Sequence, residues 1–283
     1  MLPACLRPSH REHRPGWKPS LFSTDSFWLR WCASVLCFLA VGGNAAEEKK
    51  PEPKPLPSVI LTSPLAAVAG ATNTILLRGL SLTNVSEVRF LAPPVGLVSL
   101  IKSATKSDPP KPLDAKRAGD NLIVLSLALP PVVEAAGLSY VVISPDGASA
   151  TNTLVVLPAD QAVSEKEPNG GFKEAQTITM GRTVLGEIGK EKDVDVFRFD
   201  GAAGHRIHVE ITAARLGSAL DALVNLYDAS GHLIASSDDP PPGRDAVLDA
   251  TLPTPGPWFL VVLDAHDRGG AAHPYLLSLK LAK

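Results

Sequence analysis

Short β-prone runs separated by glycine and proline recur along this chain from residue 58 to its C-terminus, and this pattern most constrains the fold. The first group of runs covers residues 58–62, 73–78, 87–91, 121–127, 140–143 and 153–156. Each run has the length of a strand, and turn residues such as Gly79 and Pro145 stand between them. About six strands over about 100 residues, joined by turns, are typical of a β-sandwich.

A second group of runs follows a short linker at residues 158–163. It covers residues 183–185, 194–199, 206–212, 223–227, 232–235, 247–252, 258–263 and 275–281. Alternation places Phe197 and Phe199 on one face of their strand, which we expect to point inward. The run that begins at Trp258 is apolar on both faces, as in a central strand that is covered on each side. A second antiparallel sandwich, jelly-roll-like in its packing, is the expected result.

Composition agrees with two domains. With 283 residues, of which 45% are hydrophobic and 20% charged, the chain can bury two ordinary cores. We therefore predict an all-β protein of two β-sandwich domains. Its three cysteines, Cys5, Cys32 and Cys37, all precede residue 40. The remainder of the sequence accordingly offers no disulfide and no thiolate for catalysis or metal binding.

Residues 1–45 have the order of a secretory signal peptide. Basic residues precede the apolar run 31–41, and the small residues 42–46 follow it. This order predicts export, with cleavage after Ala45 or Ala46. An uncleaved membrane anchor is the alternative, although the apolar run is shorter than the roughly 20 residues that span a bilayer. We thus expect a secreted, periplasmic or cell-surface protein that contacts the membrane only if this segment is retained.

The charge balance bears on the class of partner. Residues 46–57 form a charged, proline-alternating linker, which predicts an extended spacer. Without residues 1–45 the chain keeps 22 basic and 27 acidic side chains. This balance argues against a nucleic-acid partner, which would need clustered positive charge. The basic, proline-rich stretch 102–117 is interpreted as a solvated loop, and contact with an anionic polymer is the alternative.

Two motifs in the second group of runs carry a resemblance to a known family. The region opens with Glu-Pro-Asn-Gly at 167–170 and continues through Asp-Val-Asp-Val-Phe at 193–197. This pattern resembles the bacterial pre-peptidase C-terminal domain, an accessory module of secreted proteases. The resemblance implies a jelly-roll-like sandwich over residues 163–283. The turns in residues 58–158 are similar to those of an immunoglobulin-like IPT/TIG domain.

Five oxygen-bearing side chains around these motifs form a candidate calcium site. In an extended segment alternate residues point the same way, so Glu165, Glu167 and Asn169 share a face, and Asp193 and Asp195 repeat this geometry. Ca²⁺ takes six to eight oxygen ligands, which these side chains and backbone carbonyls can supply. Collagen-binding relatives in bacterial collagenases bind calcium at a comparable acidic opening. Calcium is the candidate cofactor, and no other is predicted; the alternative is that Glu167, Asn169 and Asp193 cap turns.

Catalytic motifs are absent from the sequence. It contains neither His-Glu-x-x-His nor Gly-x-Ser-x-Gly. His205 and His208 are three apart in a predicted strand and therefore face opposite sides, while the polar run 264–267 is interpreted as a turn. We predict no catalytic residues and no enzymatic activity.

Two functional classes remain, both non-catalytic. The first is an interaction protein that docks onto an extracytoplasmic protein or a cell-surface polymer. The second is a carbohydrate-binding module, which would need exposed aromatic platforms. Aromatic residues are only 5% of the chain, and the strand context of Trp258 predicts its burial. A hydrolase or hydrolase-associated subunit is the more distant alternative.

Overall fold

The computed structural model describes residues 54–241 and 243–282, which consist almost entirely of strands and turns. The predicted signal peptide, 1–45, and residues 46–53 of the linker lie outside the described residues. Among the helices of the described residues, none is long and apolar enough to cross a membrane. The predicted all-β class is confirmed, and the sheets form sandwich-like domains.

Nine strands and one short helix make up the N-terminal sandwich within the described residues. They are β1 (Ser58–Ser63), β2 (Ala66–Val68), β3 (Thr72–Leu80), β4 (Glu87–Phe90), β5 (Val98–Lys106), α1 (Ala115–Ala118), β6 (Asn121–Ala128), β7 (Gly137–Ser144), β8 (Gly147–Ala148) and β9 (Asn152–Leu157). One sheet has the order β1-β3-β6-β5, and the other has the order β2-β9-β7-β4, with β8 paired to β7. Alternate side chains of β6, such as Ile123 and Leu125, point into the core between the sheets.

The interpretation of residues 102–117 as a loop is wrong at both ends. Lys102 and Lys106 belong to β5, which lies at the edge of its sheet, and residues 115–118 form α1. A β-bulge between Ile101 and Ser103 shifts the register of β5 and interrupts the alternation that would have identified the strand. Helix α1 begins where the Asp114 side chain accepts a hydrogen bond from the backbone N–H of Arg117.

The C-terminal sandwich is built from two five-stranded sheets. Its elements are β10 (Ala162–Ser164), β11 (Gln176–Thr177), β12 (Thr183–Glu187), β13 (Val194–Gly201), β14 (Arg206–Thr212), a 3₁₀ turn (Ala214–Leu216), β15 (Ala222–Tyr227), β16 (Leu233–Ser237), β17 (Val247–Thr251), β18 (Gly256–Asp264) and β19 (Pro274–Leu281). The sheet orders are β10-β12-β19-β14-β17 and β11-β13-β18-β15-β16. Both β10 and β11 pair in parallel with their neighbours, and the sequence pattern revealed neither of them.

Two predictions about the core of this sandwich are confirmed. Phe197 and Phe199 are fully buried on the inward face of β13. Strand β18 is central in its sheet, with Trp258 in the main core and Phe259 in a second apolar cluster on the opposite face. The placement of His205 in a strand is wrong, because β14 begins one residue later and His205 lies in the preceding turn.

The two sandwiches share an apolar cluster. Leu61, Leu65 and Ala66 from the N-terminal sandwich pack with residues of the C-terminal sandwich that include Leu276. Gly217, with φ of 89°, lies so close to β1 that a Cβ there would overlap the carbonyl oxygen of Ile60. Residues Glu52–Lys283 accordingly form one compact unit.

Burial of Trp258 leads to a fluorescence prediction. In protein without residues 1–45, Trp258 is the sole tryptophan, and it is 1% exposed. We expect its emission to be blue-shifted in the folded protein, to move to longer wavelength on unfolding, and to resist quenching by soluble oligosaccharides. Strong quenching by a glycan in the folded state would contradict this prediction and would favour carbohydrate binding.

Candidate metal centre

The candidate site forms where the segment 165–170 passes the start of β13. Glu165 follows β10, and its backbone N–H donates to the carbonyl oxygen of Leu185 in β12 (3.0 Å). Farther along, the carbonyl oxygen of Asn169 accepts a hydrogen bond from the backbone N–H of Val196 (3.0 Å). These two backbone contacts tie the segment to both sheets of the sandwich and bring it beside Asp193 and Asp195.

Three carboxylates converge at this point. One oxygen each from Glu167, Asp193 and Asp195 lies within 4.8 Å of the other two. Glu167 is exposed, Asp193 is largely buried and Asp195 is completely buried. Like charges this close repel one another unless a proton or a cation lies among them. The spacing suits a single cation that contacts all three groups.

Hydrogen bonds hold the segment 165–170 in this arrangement. The backbone N–H of Asn169 donates to Oε2 of Glu167 (3.0 Å), and its side-chain Nδ2 donates to Oε1 of Glu165 (2.9 Å). Oε2 of Glu165 accepts a hydrogen bond from the backbone N–H of Glu187 (2.7 Å). Both Glu165 oxygens therefore already accept hydrogen bonds, and its place among the ligands stays a prediction.

Tyr275 holds Asp195 in place through a hydrogen bond. Its hydroxyl donates to Oδ2 of Asp195 at 2.6 Å and lies 3.4 Å from Oε1 of Glu165. Burial raises the pKa of Tyr275 well above its usual value of 10, so the hydroxyl keeps its proton. Gly186, opposite Tyr275 in the β12–β19 pair, leaves room for the ring, because a Cβ at Gly186 would overlap it.

Two buried oxygens at the site have no hydrogen-bond partner among the described residues. They are Oδ1 of Asn169 and Oδ1 of Asp195, and both side chains are completely buried. An unsatisfied buried polar group costs about 1–3 kcal/mol. A bound ion is one of the explanations for such a group, and these oxygens are the kind of ligand that Ca²⁺ takes. The residues present therefore fit a hard cation.

The comparisons with known proteins bear on this part of the chain. Residues 193–263 match the model of the bacterial pre-peptidase C-terminal domain, abbreviated PPC. Residues 193–263 are therefore assigned to a PPC domain. A probable subtilase-type serine protease of Deinococcus radiodurans is 42% identical over 103 residues, which are 35% of this chain. The match spans only 14% of that protease.

Solved structures similar to the chain include another PPC domain. The PPC domain of a collagenase from Bacillus anthracis is 19% identical and matches over 100% of its length and 41% of this chain, with a TM-score of 0.32. A periplasmic inhibitor of g-type lysozyme from Aeromonas hydrophila is also 19% identical. It matches over 96% of its length and 43% of this chain, with a TM-score of 0.29.

Whether the candidate site carries a proton depends on the carboxyl group of Asp195. Burial, together with the neighbouring Glu165 carboxylate, raises the pKa of Asp195 to about 9, against 3.8 for an ordinary aspartate. In metal-free protein at neutral pH this carboxyl therefore holds a proton. A cation that binds there must displace it, because the ligand form of a carboxyl is deprotonated.

We expect the stability of metal-free protein to fall as pH rises. A folded-state pKa above the unfolded value favours the folded state fully below pH 3.8, and this contribution is lost as pH rises towards about 9. The measurement is chemical unfolding in chelator from pH 5 to pH 8.5. Asp195→Asn, which cannot ionise, should reduce the slope; an equal slope in this variant would contradict the prediction.

Sequence reasoning missed two residues beside the PPC-domain site. Tyr275 is 80 residues from Asp195 in sequence and contacts it because β19 and β13 belong to the two different sheets that pack together in this sandwich. Glu187 is half-buried next to Glu165, and burial and the Glu165 charge raise the pKa of Glu187. No local motif marks either residue. Only the tertiary packing of the sandwich would have revealed them.

Two other polar groups of residues in the C-terminal sandwich have partners within it. The run 264–267 is a turn, as predicted, in which Oδ1 of Asp264 accepts hydrogen bonds from the backbone N–H groups of His266 and Arg268. His208 contacts Asp249 on the surface (3.0 Å). Throughout residues 54–241 and 243–282, no serine or threonine hydroxyl hydrogen bonds to a histidine ring.

Proposed function

We propose that this chain is an exported, non-catalytic accessory protein that docks through its β-sandwich modules onto an extracytoplasmic protein or a cell-surface polymer. The match of residues 193–263 to the PPC domain is the observation that carries this proposal. The similar segment of a subtilase-type protease supports an accessory role, because it makes up only 14% of that protease. Export rests on the order of residues in the segment 1–45.

The proposal includes one Ca²⁺ in the PPC domain. Glu167, Asp193 and Asp195 would supply carboxylate oxygens, and Asn169 its unpartnered Oδ1. Glu165 lies beside them and orients Asn169. When bound, Ca²⁺ supplies positive charge that offsets the carboxylates. The protein's own residues hold the segment 165–170 against β13 and keep Asp195 aligned through Tyr275.

The docking proposal is tested with cell envelopes of the source organism. Purified protein without residues 1–45 is incubated with washed envelopes, with protease-treated envelopes and with periodate-treated envelopes, and the retained fraction is measured. Retention that is lost after protease treatment identifies a protein partner, whereas retention that survives protease identifies a polymer. An absence of retention on all three preparations would overturn the docking proposal.

One observation favours carbohydrate binding as the second candidate. The Phe172 ring stacks on Phe259, with centroids 4.5 Å apart, and meets the Tyr227 ring edge-on at 5.6 Å. Phe172 is 38% exposed, so it presents part of an aromatic surface to solvent. Aromatic faces of this kind pack against sugar rings. Loss of envelope retention after periodate and in Phe172→Ala, but not in the exposed control Leu233→Ala, would favour this candidate.

A further inference from the structure

Charge is divided unequally between the two sandwiches. Residues 54–158 carry eight basic and six acidic side chains, whereas residues 159–282 carry eleven basic and eighteen acidic side chains. The N-terminal sandwich is therefore net positive in a protein that is otherwise acidic. Five of its eight basic residues fall within the stretch 102–117.

These five residues form what we term the basic edge: Lys102, Lys106, Lys111, Lys116 and Arg117. All five are exposed, and none has a carboxylate within 4.0 Å among the described residues. Two nearby acids are engaged in local hydrogen bonds. Asp114 caps α1, and Asp120 accepts a hydrogen bond from Nδ2 of Asn121 (2.9 Å). The positive charge of the basic edge is thus directed to solvent.

The segment between β5 and β6, which carries three of the five residues of the basic edge, is fixed to the sandwich. The backbone N–H of Ser107 donates to the carbonyl oxygen of Asp120 (2.9 Å) and closes the loop. Arg78 reaches across from β3, and its guanidinium donates to Oγ of Ser107 (2.9 Å) and to the carbonyl oxygen of Asp108 (3.3 Å). Leu113 packs against the apolar cluster between the sandwiches. A ligand of this loop therefore does not have to order its backbone, which lowers the entropic cost of binding.

We propose that the basic edge binds a linear anionic polymer of the cell surface through repeated carboxylate or phosphate groups. This inference rests on the proposed docking function and selects the polymer partner. Lys102 and Lys106 lie on the edge strand β5, and Lys111 lies in the loop that follows it. Lys116 and Arg117 lie on α1, which packs against β3 and β1 in the same sheet. Successive point charges at an edge suit a chain of repeated anions, and the excess acidic charge of the C-terminal sandwich repels the same chain.

The test uses fluorescein-labelled poly-L-glutamate and polyphosphate as probes, with the protein lacking residues 1–45. Binding is followed by fluorescence anisotropy at 50 mM and 200 mM NaCl. We expect affinity to fall steeply with salt and to fall about tenfold or more when Lys102, Lys106, Lys111 and Lys116 are all replaced by Gln. The matched control replaces four exposed lysines of the C-terminal sandwich, Lys166, Lys173, Lys192 and Lys280, by Gln and should bind as the unchanged protein does.

Several outcomes would overturn the inference. Equal losses of polymer affinity in the two variants would show that binding responds to net charge alone. No loss of affinity in the basic-edge variant would place the polymer contact elsewhere on the protein. Tighter binding to phosphatidylglycerol vesicles or to duplex DNA than to either polymer would assign the edge to a different partner class. Envelope retention tests this inference separately from the docking proposal. If the basic-edge variant still binds envelopes, and circular dichroism shows that its fold is unchanged, the inference is refuted and the docking proposal stands.

Discussion

Millimolar Ca²⁺ should raise the melting temperature of the protein, and excess chelator should return it to the lower value. A ligand that binds only the folded state stabilises it by RT ln(1 + [L]/Kd), which is about 2.7 kcal/mol at a hundredfold excess over Kd. The expected gain comes from the carboxylate cluster and from the two unpartnered oxygens of Asn169 and Asp195. Thermal unfolding monitored by circular dichroism, with and without Ca²⁺, measures it.

The choice of variants follows from burial. Glu167 is exposed, so Glu167→Gln should abolish the Ca²⁺-dependent shift while the metal-free protein melts as before. Asp195 lies in the interior rather than at the domain edge, so Asp195→Asn, which preserves its shape, is a better test than alanine. Glu191→Gln removes an exposed acid near the site and serves as the control. Identical melting of the unchanged, folded protein in Ca²⁺ and in chelator would eliminate the calcium site.

We expect Gly217→Ala to destabilise the protein more than Gly204→Ala does. Both glycines have positive φ, 89° and 79°, so an alanine at either position pays a similar backbone penalty of about 1–2 kcal/mol. A Cβ at Gly204 meets open space, whereas a Cβ at Gly217 would overlap the carbonyl oxygen of Ile60 in the other sandwich. Relief of that overlap requires the sandwiches to move apart and to expose the apolar cluster around Leu61.

Two measurements check the comparison of the glycine variants. Denaturant unfolding should give a lower free energy of unfolding for Gly217→Ala than for Gly204→Ala, by about 1–3 kcal/mol, the usual range for a strained packing change. Limited proteolysis should cut Gly217→Ala faster in the exposed linker 158–161, because the sandwiches that anchor its two ends are then no longer packed together. Equal stability and equal proteolysis of the two variants would mean that the sandwiches do not depend on this contact.

Much of the fold follows from local sequence pattern. Strand β6 is a run of β-prone residues in which every second side chain is buried, so residue type alone identifies it. The strands that the pattern missed lack this signal for physical reasons. Strand β11 has only two residues, β10 has three, and both pair in parallel with partners that are distant from any hairpin turn. In β5 a bulge breaks the alternation.

Only the polar residues of the candidate site could be predicted from the sequence. Glu165, Glu167 and Asn169 lie close together in sequence, and Asp193 and Asp195 stand in a recognisable motif, so spacing suggested them. Their supports come from tertiary packing: Tyr275 reaches Asp195 across the two sheets of the sandwich, and Gly186 leaves space for its ring. The motif at 193–197 holds no information about Tyr275, the hydrogen-bond partner of Asp195, which lies 80 positions away.

The apolar cluster between the sandwiches has a consequence for how the protein would engage two partners at once. Only four residues separate β9 from β10, and β10 is itself paired into the C-terminal sandwich. The connection therefore has no free hinge, and the basic edge and the carboxylate cluster keep a set separation. For molecules bound at these two places, the protein acts as a spacer of fixed length. The effective concentration of one bound molecule near the other is then set by the fixed distance between the two sites, and not by the range of conformations of a flexible linker.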